Sequence, residues 1–123
     1  MSQVILTFQL QKEKEDAMAT ICKPRGIKLL EIPVKDYAQK LGYLAGVKGF
    51  SREKAVYDGA PFPAEMLVFS GMDSQQVDAF LAEYKATGLP PVALKAIVTP
   101  YNVSWTADAL LRELMKEHIQ LGG

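Results

Sequence analysis

Leu94 to Trp105 reads LKAIVTPYNVSW, and its reading sets the architecture. Val92 to Val98 has the two-residue period of a strand, with Leu94, Ala96 and Val98 on one face and Lys95, Ile97 and Thr99 on the other. Pro100 has no amide to donate and stops the ladder. Asn102 is a turn former, and Ser104 or Thr106 is placed to cap a last helix. Leu110, Leu111, Leu114, Met115 and Leu121 give that helix its buried stripe, while Lys116 and His118 suit the negative end of its dipole. Strand, hard stop and capped helix make a βα unit.

The same rhythm extends outward. Met66 to Phe69 (MLVF) is apolar at every position, as expected of a strand that is covered on both faces or central in its sheet. Asp73 with Gln76 has capping-box spacing, Val77, Phe80, Leu81 and Tyr84 follow at i, i+3, i+4 and i+7, and Gly88 closes the helix. Nearer the start, Gln3 to Leu10 alternates, placing Val4, Leu6, Phe8 and Leu10 on one face. Lys12 to Lys23 predicts an amphipathic helix with Ala17, Met18 and Ile21 inward, ended by Pro24 and Gly26. Ile27 to Val34 predicts a second strand with Pro33 near its end or on an edge. Asp36 and Gln39 repeat the capping-box spacing ahead of a short helix holding Leu41 and Leu44, with Gly46 ending it.

Residues 47–63 have no period and are punctuated by Gly and Pro, which predicts one long connection of the kind that is often functional or mobile. The expectation is one α/β domain over residues 1–123. Two β-α-β-α units, 1–46 and 64–123, form a four-stranded sheet covered by helices, as pseudo-repeat halves joined by the 47–63 loop. A ferredoxin-like α+β sandwich is the alternative.

Composition removes several classes of function. An apolar fraction of 49% with 23% charged residues is that of a soluble globular domain. Neither a signal peptide nor a membrane span is expected, so the protein is placed in the cytoplasm. A net charge of zero argues against nucleic acid as a partner. The charge is uneven, however. Residues 1–54 carry ten Lys/Arg against six Asp/Glu, giving +4, and residues 55–123 carry four against eight, giving −4. Favourable fields between the halves, or a basic face toward an acidic partner, both follow from this.

No phosphate loop, dinucleotide fingerprint or nucleophile elbow occurs. One Cys and one His, Cys22 and His118, exclude a common zinc site within the chain, and Cys22 reads as a small buried hydrophobe. Glu113 and Glu117 share a helix face and define no reaction. No catalytic residue, metal or cofactor is assigned. The discordant group is Lys95, a lone cation in an apolar strand, which either needs a partner or snorkels to the edge. Beyond it, Thr99, Tyr101, Asn102, Ser104 and Trp105 gather at a strand's carboxyl end, where α/β sheets bind ligands and where amides of the last helix could hold an anion. The plainer account makes Asn102 or Ser104 a helix cap and Trp105 a staple.

The pattern Leu94-Lys95-Ala96 followed by Thr99-Pro100-x-Asn102-x-x-Trp105 resembles the signature of a small bacterial family known only as a domain of unknown function. The likeness extends more loosely over Met66 to Phe69 and the helix after it, and the N-terminal half resembles the family's leading segment. It implies no activity, and marks Lys95, Thr99, Asn102 and Trp105 as positions to test. The function is thus not legible in the sequence. The first expectation is a non-catalytic binding or regulatory module that holds a protein partner or a small anion at Thr99–Trp105. A homodimeric interaction protein ranks second, and a small enzyme with Lys95 as base or nucleophile third.

Overall fold

The computed structural model describes residues 2–120, with side chains through Glu117. Strands β1 (Val4–Phe8), β2 (Lys28–Glu31), β3 (Met66–Ser70) and β4 (Leu94–Ile97) form one sheet in the order β2-β1-β3-β4. The outer pairs, β1 with β2 and β3 with β4, are parallel, and the central pair β1 with β3 is antiparallel. Helices α1 (Lys12–Cys22) and α3 (Ser74–Ala86) follow β1 and β3. The one-turn α2 (Leu41–Leu44) and the long α4 (Ala107–Gln120) follow β2 and β4. This is an open mixed sheet of the α/β class.

β1 and β3 are buried at all five of their positions, so the unbroken apolar run of Met66 to Phe69 is that of a central strand. Ile5, Leu67 and Phe69 meet Met18, Ile21, Val77, Phe80 and Tyr84 of α1 and α3 on one face. Val4, Leu6, Phe8, Met66 and Val68 meet Tyr37, Leu41, Leu44, Phe62, Leu110 and Leu111 on the other. Helices on both faces set the protein apart from the two-layer ferredoxin-like alternative.

Both edge strands are four residues long and shorter than their periodic stretches. Ile27 to Val34 contracts to Lys28–Glu31 because Pro33 cannot extend the ladder, and Val92 to Val98 contracts to Leu94–Ile97 between Pro91 and Pro100. Short edges flanked by proline resist pairing with a stray strand. Leu10 also departs from expectation. Gln9 adopts a positive φ of 57°, which breaks the two-residue alternation and sends Leu10 to the cluster under α1 and α3.

The Asp73–Gln76 capping box forms, with the Gln76 amide donating to Asp73 Oδ1 at 2.8 Å and the Asp73 amide donating to Gln76 Oε1 at 2.9 Å. The Asp36–Gln39 box does not. Asp36 ends a 3-10 turn (Val34–Asp36) and pairs with Arg52 at 2.6 Å, while α2 begins two residues after Gln39 with no side-chain cap. Gly71, at φ 74°, lies so close to the Ser2 carbonyl that a Cβ there would sit 2.3 Å from its oxygen.

Among the described residues two ion pairs cross between the halves, Lys14–Glu65 and Arg25–Glu83, each with its cation from the N-terminal half. They place the opposite net charges of the halves in contact. Leu121 lies outside the described residues, as does the side chain of His118.

Candidate functional site

The turn from Thr99 to Trp105 is held by its own polar groups. Asn102 spans it: the Thr99 amide donates to Asn102 Oδ1 at 2.8 Å, and Asn102 Nδ2 donates to the Ile97 carbonyl at 3.1 Å. The Thr99 hydroxyl oxygen accepts from the amides of Tyr101 and Asn102, both at 3.2 Å. These are Asx- and ST-type closures, which give short polar side chains their place in turns. The helix cap is Thr106, whose Oγ1 accepts the Ala109 amide at 3.1 Å. Ser104 is exposed and makes no side-chain hydrogen bond among the described residues.

The first amides of α4, read as donors for an anion, have acceptors within the protein. The Ala107 amide donates to the Gln39 carbonyl and the Asp108 amide to the Tyr37 carbonyl, and Thr106 takes the Ala109 amide. The backbone donors of the first turn are consumed inside the protein. The turn's carbonyls do the same service for α2, with Trp105 accepting the Leu41 amide at 2.8 Å and Val103 the Gly42 amide at 2.9 Å.

What the turn offers outward is aromatic. Tyr101 is 79% exposed and stands edge-on to Trp105, ring centroids 5.4 Å apart. Trp105 is half-buried against the α4-side core. Thr99, Tyr101, Asn102 and Trp105 are therefore gathered into one structure. Lys95 lines a shallow surface hollow with Thr99 but stands away from Trp105: its neighbour across the ladder is Leu67, whose side chain lies in the core under α1 and α3. Lys95 is exposed, and its ammonium donates to the Val92 carbonyl at 2.6 Å. Among the described residues it has no carboxylate partner.

The 47–63 loop is fastened to the body by a residue read as something else. Gln39 is fully buried, its Oε1 accepting the Glu53 amide at 2.9 Å and its Nε2 donating to the carbonyls of Glu53 at 2.8 Å and Ala55 at 3.1 Å. Phe50 of the loop packs onto Gly42, where an added Cβ would lie 2.6 Å from the ring. Phe62 stacks on Tyr37 at 3.8 Å. Turn and loop thus both close on α2.

Three buried polar groups were not anticipated. Lys14 lies on the inward stripe of α1, in helical register with Met18 and Ile21, and that spacing was its one sequence signal. The Thr7 hydroxyl donates to Glu15 at 2.8 Å, and burial, more than the nearby charge of Glu31, pushes the Glu15 carboxyl above its ordinary value. Tyr37 is wholly buried, its hydroxyl has no hydrogen-bond partner among the described residues, and burial raises its pKa. Cys22 is buried as expected, and burial pushes its thiol up to about 11, so the nucleophilic thiolate is scarce at neutral pH.

Among the described residues no group of three or more His, Cys, Asp or Glu side chains is arranged to hold a metal, and no helix is long and apolar enough to cross a membrane. Residues 65–121 match the family model described as a domain of unknown function (DUF3783), a family to which no activity is attached. The matched segment holds β3, α3, β4 and α4 and leaves residues 1–64 outside it, so the looser likeness of the N-terminal half is not part of the match. No curated protein and no solved structure matches the chain.

Proposed function

We propose that the protein is a non-catalytic binding module that presents the Thr99–Trp105 turn to a protein partner, with Tyr101 as the anchor. The observation that carries this reading is the 79% exposure of Tyr101 on a turn locked by Asn102 and Thr99. Exposed aromatics are frequent energetic centres of protein interfaces. A ring already held in place loses little freedom on binding, so more of its contact energy appears as affinity. A protein surface is favoured over a small anion because the nearby amides of α4 are occupied. A cytoplasmic location belongs to the same reading, in keeping with the free thiol of Cys22.

The test is a photo-crosslinking residue at position 101 of the full chain, followed by titration of the captured protein against wild type and Tyr101→Ala. The expected result is one dominant partner whose affinity falls about tenfold or more in the variant, at unchanged melting temperature. Equal affinity for both proteins sinks the reading. Crosslinks between two copies of the chain replace it with the homodimer.

A further inference from the structure

A second site lies on the opposite side of the sheet. Between α3 and β4 a cavity of about 390 Å³ is walled by Met18, Leu67, Leu81, Leu89 and Val92, with Tyr84 at its base. Its size is within the range of small-molecule pockets. The walls are fixed. Met18 and Leu67 belong to the buried core, and the Tyr84 hydroxyl donates to the Pro90 carbonyl at 2.6 Å, tying the segment before β4 to α3.

The charged side chains that line it are Lys85 and Lys95, both exposed at the mouth. Among the described residues no carboxylate lines the cavity; of the acids around it, Glu65 is paired with Lys14 and Glu83 with Arg25, while Glu13 lies close enough to act on the Tyr84 hydroxyl without reaching the lining. Lys95 Nζ has the Val92 carbonyl for its hydrogen-bond partner, which folds the ammonium back over the opening. An apolar chamber with two cations at its mouth and no anion is complementary to a molecule with an apolar body and one anionic end.

We infer that the cavity between α3 and β4 binds an amphipathic carboxylate, its hydrocarbon against Met18, Leu67 and Leu89 and its carboxylate on Lys95 and Lys85. The ammonium of Lys95 exchanges a neutral carbonyl for a charged acceptor, and a charge-assisted bond is the stronger of the two. The presence of Lys95 in an otherwise apolar strand is then explained. The site is independent of the Tyr101 turn, which packs on the other face, so either assignment stands without the other.

The experiment titrates the full-length protein, followed by amide NMR, with decanoate and separately with decanol, each kept below its aggregation threshold. Saturable decanoate shifts confined to residues around the cavity are expected, with decanol binding about tenfold more weakly. In Lys85→Gln/Lys95→Gln, two exposed substitutions checked by melting temperature, decanoate should weaken to the level of decanol. The inference is overturned if decanoate fails to bind, if decanol binds as tightly, if the double variant binds decanoate unchanged, or if the shifts lie elsewhere.

Discussion

The Lys14 ammonium sits 2.5 Å from Glu65 Oε1, pinning the inward face of α1 to the residue that precedes β3. The pair is largely dry, with side-chain exposures of 7% and 20%, and Glu65 Oε2 also accepts the Gln11 amide at 2.9 Å. Removing one member of such a pair strands the other. Lys14→Met is expected to cost about 3 kcal/mol, whereas Lys14→Met with Glu65→Gln should recover most of it. Denaturant melts of the two single variants and the double variant close the cycle. Additive losses would show the charges to be independent.

Gln39 holds the long loop by three hydrogen bonds from one buried amide. Gln39→Leu keeps similar bulk and deletes all three. A loss of about 2–3 kcal/mol is expected, since the Glu53 and Ala55 backbone groups must find water. Hydrogen exchange locates the effect: the amide of Glu53 should lose protection while those of β1 and β3 keep theirs.

Tyr37 points the opposite way. Its ring is stacked on Phe62, yet its buried hydroxyl has no partner among the described residues. Tyr37→Phe keeps the stack and removes the desolvated oxygen. Stability should rise by about 1 kcal/mol, an outcome read directly from the shift in denaturation midpoint.

Glu15 makes stability depend on pH. Burial raises its folded-state pKa above the ordinary 4.5, so the folded protein holds this proton more tightly than the unfolded chain. The contribution is full below the ordinary value and is lost as pH rises through the raised one. Glu15→Gln still accepts the Thr7 hydroxyl but has no proton to lose. Relative to the variant, wild type should weaken as pH rises from the ordinary carboxyl value through the raised one, and parallel curves would refute the assignment.

Asn102 closes its turn through both ends of its amide. Asn102→Ala is expected to cost about 1–2 kcal/mol in a thermal or denaturant melt. No loss would mean that Trp105 and the α2 contacts hold the turn alone.

Patterns with a fixed period were readable from the sequence, and tertiary pairings were not. The MLVF run identified a central strand because nothing polar could face water at Met66 to Phe69. Asp73 and Gln76 formed their box because a helix of full length follows, giving the cap amides to satisfy. The same spacing misled at Asp36 and Gln39, where no such helix follows and the amide of Gln39 is better used by the loop. The five polar and aromatic positions Thr99, Tyr101, Asn102, Ser104 and Trp105 read as one turn, since the bonds that close it are local. Lys95 shares a surface hollow with Thr99, while strand alternation turns it away from the face on which Trp105 packs. Lys14 with Glu65 joins positions too far apart for any local pattern to reveal.

The ladder between β1 and β3, from Val4↔Ser70 to Phe8↔Met66, has a consequence for the matched segment 65–121. That segment owns one rail of the ladder and not the other. On its own it would leave Met66–Ser70 as a bare, wholly apolar border with unanswered amides and carbonyls, the kind of border that recruits another strand. In this protein residues 4–8 answer it from the same chain, so that what would otherwise be a meeting of two molecules is carried out within one.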